Sequence, residues 1–309
     1  MAKQVDLLSQ LHQQKPKLFS RRCKRRPLGP PLFVWYNTPV MKKSLNGAEL
    51  AGYIQERQAK DVRSLVQAHK IQPKLAIIRT NPDPVVDSYM RLKQNYGREI
   101  GVAVAVHTIE QSEALDRIAE LNKDDSIHGI IVQIPLPNPR QTSKVLNAVS
   151  SKKDVDGLNA KTKFQPATPM AIDWLLAGYN VELKGKKLVI VGSGQLVGAP
   201  LAKIWKSQKL DVTTANKQTK KLAKLTADAD VIVCATGVPG LIKANMVKPD
   251  AVIVDAGVAT DSNGLIGDVD SEVRELPGIT ITPEKGGVGP LTVCALFENV
   301  IRAARAVAG

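Results

Sequence analysis

Tyr89 and Lys93 stand four apart in the run DSYMRLK. Residues at that spacing share one face of a helix. A phenol and an amine side by side can bind a polar ligand and move a proton; they are equally the pattern of a solvated surface pair. Gln133 ends the apolar run IHGIIVQ and leads into PLP, which sets a neutral amide at the carboxyl end of a strand. Ligand crevices of open α/β sheets lie at such ends. Asp154 and Asp156 alternate in KDVDG, where carboxylates can bind a polar ring or cap a turn. EKGGVGP, at 284–290, offers a wall nearly free of side chains. A second group of residues lies in VIVGSGQLVGAPLA. There Gly192, Gly194 and Gly198 stand where a strand turns into a helix, with the spacing GxGxxxG. Such glycines permit a tight turn and let backbone N–H groups approach a pyrophosphate, although glycine also serves plain strand–helix packing. After the next strand comes TTANKQTKK. A site for NAD usually has an acid there, on the ribose 2′-hydroxyl. Asp211 lies at the far end of that strand, whereas Asn216, Lys217 and Lys220 are placed to meet a 2′-phosphate, which points to NADP. A solvated basic surface is the other reading.

The elements that must position these residues alternate in type. Apolar periodicity predicts helices over 47–70, 85–100, 111–122 and 140–149, with strands at KLAIIRT, VAVAVHT and IHGIIVQ between them. The run IPLPNP is an extended loop, since three prolines exclude a regular element. SKKDVDGLNAKTKFQPATP is a long polar connection ending in a proline that can open a helix. A second unit follows, with strands at KKLVIVG, LDVTTA, ADVIVCATG and DAVIVDAG, and helices over 197–207, 218–227 and near 241–247. A last helix runs from about Leu291 to Val307. Buried strands alternating with helices imply parallel sheets covered on both faces.

The 309 residues suffice for about two domains with their own cores. Apolar content of 43% and charge of 23% are those of a soluble globular protein, and no apolar run approaches the length of a membrane span. Cys23, Cys234 and Cys294 are odd in number and form no CxxC pair, which suggests neither a disulfide framework nor a zinc site and makes a reducing, cytoplasmic setting the default. The net charge of +14 invites a nucleic-acid reading. Half of it sits in residues 1–40, where eight lysines and arginines face the single acid Asp6. That stretch has no helical or strand period and ends in breakers, so it is expected to be a disordered extension. An organelle transit peptide, a segment for anionic surfaces and a start-site extension ahead of Met41 compete for it, the last being favoured.

In order and spacing these motifs resemble the bifunctional methylenetetrahydrofolate dehydrogenase/methenyltetrahydrofolate cyclohydrolase family, from about residue 41 to the C-terminus. The resemblance rests on YxxxK at 89–93, GIIVQIPLP at 129–137, KDVDG at 153–157 and TP at 168–169. It continues with the glycine loop at 192–198, GDVD at 267–270 and TPEKGGVGPLT at 282–292. It implies a two-domain α/β fold. An N-terminal α/β substrate domain, 41–163, is completed by a C-terminal helix, 291–309, and a Rossmann-type parallel-sheet cofactor domain spans 164–290. It also implies a homodimer formed through the cofactor domains. The implied chemistry is hydride loss from 5,10-methylenetetrahydrofolate to NADP⁺, then hydration of the methenyl cation to 10-formyltetrahydrofolate. Lys93 is then the catalytic lysine, assisted by Gln133, Tyr89 and the pterin-binding Asp156. Val132, Ile134, Lys285, Gly286, Gly287, Val288 and Gly289 complete the substrate site. Gly192, Ser193, Gly194, Val197, Gly198, Lys217 and Val258 form the cofactor site, and no metal is implied. A free lysine, with a pKa near 10.4, must be biased toward its neutral form to transfer protons near neutrality. Desolvation and a nearby cation both do so.

The chain departs from the family pattern in places. The family's GRSxxVG has Ser193 where an arginine commonly meets the 2′-phosphate, and Lys217 can supply the lost charge only as a point charge. NAD is therefore a possible cofactor beside NADP. Val86 replaces a serine, Ala167 a cysteine, and Lys285 a proline; Lys285 either reaches a polyglutamate tail or is solvated. Three other functions compete: a monofunctional cyclohydrolase or dehydrogenase of the same family, another Rossmann oxidoreductase such as a shikimate-dehydrogenase-like enzyme, and a non-enzymatic protein whose basic tail engages nucleic acid. VQIPLP together with KDVDG argues against the second. The third lacks aromatic residues interleaved with the basic cluster.

Overall fold

The computed structural model describes residues 43–261 and 264–308; the extension expected over 1–40 lies outside them. The first unit comprises α1 (Gly47–His69), β2 (Lys74–Arg79), α2 (Pro84–Ile100), β3 (Ala103–Thr108), α3 (Ala114–Lys123), β4 (Gly129–Val132) and α4 (Thr142–Ala148). Its sheet has the order β3-β2-β4, all parallel. Side chains alternate along the central strand and so divide the core. Leu75 and Ile77 pack in one cluster with α1 and α2, Ala76 and Ile78 in another with α3 and α4. The Asn46 side chain starts α1 by accepting from Glu49 N–H at 3.2 Å.

The second unit holds α5 (Ala167–Gly178), β5 (Leu188–Val191), α6 (Gly198–Ser207), β6 (Val212–Ala215), α7 (Leu222–Ala227), β7 (Val231–Cys234), β8 (Val252–Asp255), a hairpin of β9 (Ala259–Asp261) and β10 (Gly264–Ile266), α8 (Ser271–Arg274) and β11 (Thr280–Ile281). A strand not foreseen, β1 (Lys43–Ser44), joins this sheet. Its order is β1-β11-β8-β7-β5-β6, every pairing parallel. Residues 43–44 were expected in the first domain; their hydrogen bonds place them at the edge of the second sheet. Strands of two or three residues carry no readable period, which is why β1 and β11 escape a sequence reading. The helix expected over 218–227 starts only at Leu222. Asn216 instead closes a turn, accepting from Thr219 N–H on its carbonyl and from Gln218 N–H on its side chain, both at 2.9 Å. The helix expected near 241–247 is a single 3-10 turn at Ala244–Met246.

The last helix, α9 (Val288–Val307), begins three residues before the expected Leu291, with Pro290 in its first turn, where a missing N–H costs nothing. It packs on α1 and α5. Its fully buried Phe297 and Leu291 belong to one core cluster that also takes Leu75 and Ile77 from the first sheet and Ile190 and Val233 from the second. The inner faces of both sheets thus share a helical layer of α1, α5 and α9.

Candidate active site

In the first sheet the chain leaves β2 to build β3 on one side and returns to build β4 on the other. The carboxyl ends of β2 and β4 therefore flank a topological switch point. Gln133 stands there, its N–H held by Ile78 O at 2.9 Å. Its side-chain oxygen accepts from Lys93 Nζ at 2.9 Å, and its amide nitrogen donates to Ile134 O at 3.2 Å. The KDVDG segment is tied alongside β4: Ile130 N–H donates to Lys153 O at 2.7 Å, and Ile130 and Asp154 form a parallel bridge. This carries Asp156 close enough for its charge to act on Lys93. Burial lowers the Lys93 pKa, opposed by the Asp156 carboxylate. Burial raises that of Asp156, opposed by Lys93 and reinforced by Asp154. Both groups are pushed toward their neutral forms, and Gln133 grips the amine without adding charge.

The other residues expected to meet the substrate divide by environment. Tyr89, one turn before Lys93, keeps 39% of its surface exposed. Of the alternating carboxylates, Asp154 caps a turn, accepting from Asn159 N–H at 2.9 Å. The side chain of Val132 is committed to the core against α3 and α4 and that of Val288 to the core under α9, so only their backbones are left for a ligand. Ile134 is half-buried, Lys285 and Gly289 are exposed and Gly287 is buried. Part of EKGGVGP has an internal role: Gly286 has φ of +82°, whereas a Cβ on Gly289 would meet nothing within 4 Å. Gly286 O accepts from Ala48 N–H at 2.9 Å, and a Cβ on Gly47 would lie 1.9 Å from Gly287 O, so this loop clamps the start of α1.

The dinucleotide loop separates glycines that the protein needs from one that it does not. Gly192 has φ of +113° and a Cβ there would fall 2.3 Å from Ala235 O; a Cβ on Gly198 would fall 1.9 Å from Gly192 O. A Cβ on Gly194 would meet nothing within 4 Å. The open face at Gly194 is what close approach of a pyrophosphate requires. Ser193 is exposed, Val197 half-buried, and Lys217 exposed in the turn after β6. Exposed apolar side chains stand on three loops at the carboxyl ends of β5, β7 and β8: Leu196 (45%), Val238 (44%) and Val258 (57%). Exposed apolar groups gathered at a sheet's carboxyl edge suit a cofactor with flat rings.

The profile of the tetrahydrofolate dehydrogenase/cyclohydrolase catalytic domain matches residues 45–156, and that of the family's NAD(P)-binding domain matches residues 166–308. The chain belongs to the tetrahydrofolate dehydrogenase/cyclohydrolase family. A bifunctional FolD protein of Exiguobacterium sibiricum is 37% identical over 274 residues, which cover 84% of this chain and 99% of that protein. The crystal structure of the bifunctional FolD enzyme of Campylobacter jejuni superposes with a TM-score of 0.82 at 33% identity, covering 86% of this chain and all of the other. That of the Trypanosoma brucei dehydrogenase-cyclohydrolase, solved with NADP and an inhibitor, gives 0.80 at 27% identity over 86% of this chain and 98% of the other. The two-domain α/β architecture with a Rossmann-like cofactor domain is therefore that of the family.

Four residues near these two regions were not singled out from the sequence. Leu196 and Val238 are single apolar residues in loops, with no period to mark them. Asn299 is a polar residue within the apolar stripe of α9, a signal that was available. Its amide donates to Val155 O at 2.8 Å and Gln165 O at 2.9 Å, tying the segment before Asp156 to the last helix. Asp268 was quoted only as part of GDVD, and its partners come from distant loops.

Proposed function

We propose that this protein oxidises 5,10-methylenetetrahydrofolate with NADP⁺ and hydrates the methenyl product to 10-formyltetrahydrofolate, with Lys93 as the proton-transfer group. The observation that carries this reading is the neutral-biased Lys93 amine, 2.9 Å from Gln133 Oε1 at the switch point of the substrate-domain sheet. An uncharged amine takes a proton from the water that adds to the methenyl carbon; the ammonium so formed gives it to the ring nitrogen that leaves as the ring opens, and the remaining hydroxyl proton is released to solvent as the formyl C=O forms. Asp156 accepts from the pterin N–H groups and Tyr89 lies along the folate. Gly192, Gly194, Gly198, Val197 and Val258 would hold the dinucleotide, which when bound supplies the hydride acceptor. Lys217 would take the 2′-phosphate in place of the arginine that Ser193 replaces. Lys285, exposed at the head of its loop, is available to a polyglutamate tail.

The assembly we infer is a homodimer through the cofactor domains. Edge strand β6, with Thr213 and Thr214 exposed, supports this. Cys234 and Cys294 are both free and buried, which fits a reducing cytoplasm, and among the described residues no helix is long and apolar enough to cross a membrane.

Purified protein supplied with 5,10-methylenetetrahydrofolate and either nicotinamide should form the methenyl product, and faster with NADP⁺. Lys93→Met should lose about 10²–10⁴-fold in hydration while keeping the parental circular dichroism. Normal formation of 10-formyltetrahydrofolate by that variant would overturn the reading. Lys217→Ala should lower the NADP/NAD ratio of kcat/KM by about tenfold; an unchanged ratio removes Lys217 from the cofactor site.

A further inference from the structure

The carboxyl edge of the second sheet contains a buried polar cluster that the chemistry above does not use. Asp268, in the loop after β10, is fully buried. One of its oxygens, Oδ2, accepts from both the backbone N–H of Thr236 at 2.6 Å and its hydroxyl at 2.8 Å. The Thr236 hydroxyl in turn accepts from Val238 N–H at 3.1 Å. Because Asp268 is acceptor-only when ionised, it sets the direction of that hydroxyl and leaves its lone pairs to Val238. The loop so held, Thr236–Val238, leaves the carboxyl end of β7 and touches the dinucleotide turn. A Cβ on Gly192 would come within 2.3 Å of Ala235 O and 3.3 Å of the Thr236 methyl.

Asp268 is itself held from behind. Its N–H donates to Asp255 Oδ1 at 3.1 Å, as does Gly257 N–H. Asp255 Oδ2 accepts from Val269 N–H at 3.1 Å and from Arg274 at 3.3 Å. Gly257 and Gly267 are required here, because a Cβ on either would lie 2.1 Å from the Asp268 or the Asp255 carboxyl group. Three loops, after β7, β8 and β10, are thereby fastened to one another. The other oxygen, Asp268 Oδ1, is buried with no hydrogen-bond partner among the described residues. An unpaired buried carboxylate oxygen is costly to the fold. The demand that retains the group therefore lies on the Oδ2 side, toward Thr236.

We propose that Asp268 is a positioning residue for the hydride-transfer half of the enzyme: acting through Thr236, it holds the loop after β7 in register with the dinucleotide turn. This rests on the assignment of the second unit to cofactor binding. Groups that bind the reacting partners must be held to within a fraction of an ångström. The hydrolytic half, built on Lys93, Gln133 and Asp156 in the other unit, does not depend on this loop.

The test compares both activities in one protein. Asp268→Ala should lose about tenfold to a hundredfold in dehydrogenase kcat/KM for NADP⁺, with hydrolysis of supplied methenyltetrahydrofolate unchanged. Asp268→Asn keeps an oxygen in the Oδ2 position and sets its amide nitrogen where the partnerless oxygen was; it should retain most of the dehydrogenase activity. Thr236→Val, nearly isosteric and remote from the unpaired oxygen, should reproduce the Ala phenotype even if Asp268→Ala does not fold. In the double variant the two losses should not add. Calorimetric titration with NADP⁺ should show the same order of binding. Equal loss of both activities in folded Thr236→Val, or no loss in either, overturns the proposal. A parent protein that hydrolyses the methenyl compound but neither binds nor reduces NADP⁺ overturns the cofactor assignment and this proposal with it. A parent that binds NADP⁺ without oxidising the folate overturns only the activity, and the titration then decides the role of Asp268.

Discussion

The chemistry proposed for Lys93 depends on where its amine ends up. On an exposed helix the same Tyr-x-x-x-Lys spacing would be two solvated side chains. Here the Nζ is desolvated and faces an amide that can accept a hydrogen bond but cannot neutralise an ammonium ion. The rate of hydration should therefore rise with pH through a value below the ordinary lysine range, as the neutral amine becomes populated. Gln133→Glu sets a carboxylate where Gln133 Oε1 now stands, favours the ammonium form and should carry that rising limb to higher pH. At pH 7 the rate should fall by about tenfold or more. A pH–rate profile of the two proteins decides this; coincident profiles would show that Gln133 does not tune the amine. The residue scale is also where the sequence was most informative. Type, spacing and place in the chain drew notice to Lys93, Gln133 and the pair Asp154 and Asp156, and the family resemblance gave Lys93 and Asp156 their expected roles. Asp154, which looks like Asp156 in sequence, proved to be a turn cap, because only the backbone path of the loop tells the two apart.

At the scale of elements, polar groups buried between helices hold the parts in register. Among the described residues, Asn299 of α9 supplies the donors to Val155 O and Gln165 O. Asn299→Leu would take the donor from one buried and one partly buried carbonyl, at a cost of about 1–3 kcal/mol. Because Val155 precedes Asp156, the KM for folate should also rise. Urea unfolding and steady-state kinetics measure the two effects, and a variant of parental stability would show that these carbonyls find other donors. Between α5 and α6, Asp173 accepts from the fully buried Trp205 Nε1–H at 2.6 Å, and burial raises its pKa to about 6. Its carboxyl therefore holds a proton more tightly when folded than when unfolded. Its contribution to stability is full below the unfolded value near 3.8 and is lost as pH rises through about 6. Asp173→Asn keeps an acceptor for the indole and removes the buried charge. It should match the parent at pH 4 and exceed it at pH 8 by about 1–3 kcal/mol. Equal stability at pH 8 would refute this. Long helices and apolar strands were legible because each carries many periods of its pattern. The shortened α7 and the strands β1 and β11 were not, since two to four residues hold too little pattern to outweigh a turn or a pairing partner elsewhere in the chain.

For the whole molecule, a continuous core through α1, α5 and α9 joins the inner faces of both sheets, while each sheet keeps a buried cluster of its own on its other face. Strand β1 adds a second tie, since the N-terminal side of α1 pairs into the cofactor sheet through β11. Unfolding should then be a single transition, with loss of tertiary signal and loss of both activities coinciding in urea. Separate midpoints for the dehydrogenase and hydrolase activities would show that the units unfold independently.

By itself the sequence determined the α/β class, the two units, the family and the glycine loop, and the family resemblance made Lys93 the expected proton-transfer lysine. These follow from local pattern: apolar periodicity, glycine at tight turns and motif order all act within a few residues. Only the tertiary structure decided that Lys93 faces Gln133, that Asp156 and not Asp154 acts on it, that Gly194 alone of the three loop glycines leaves open space, and that Asn299 bonds Val155 and Gln165 while Asp268 bonds Thr236. Those facts depend on desolvation and on hydrogen bonds between residues up to about 144 positions apart in the chain, and no local pattern encodes which distant groups will share a buried volume.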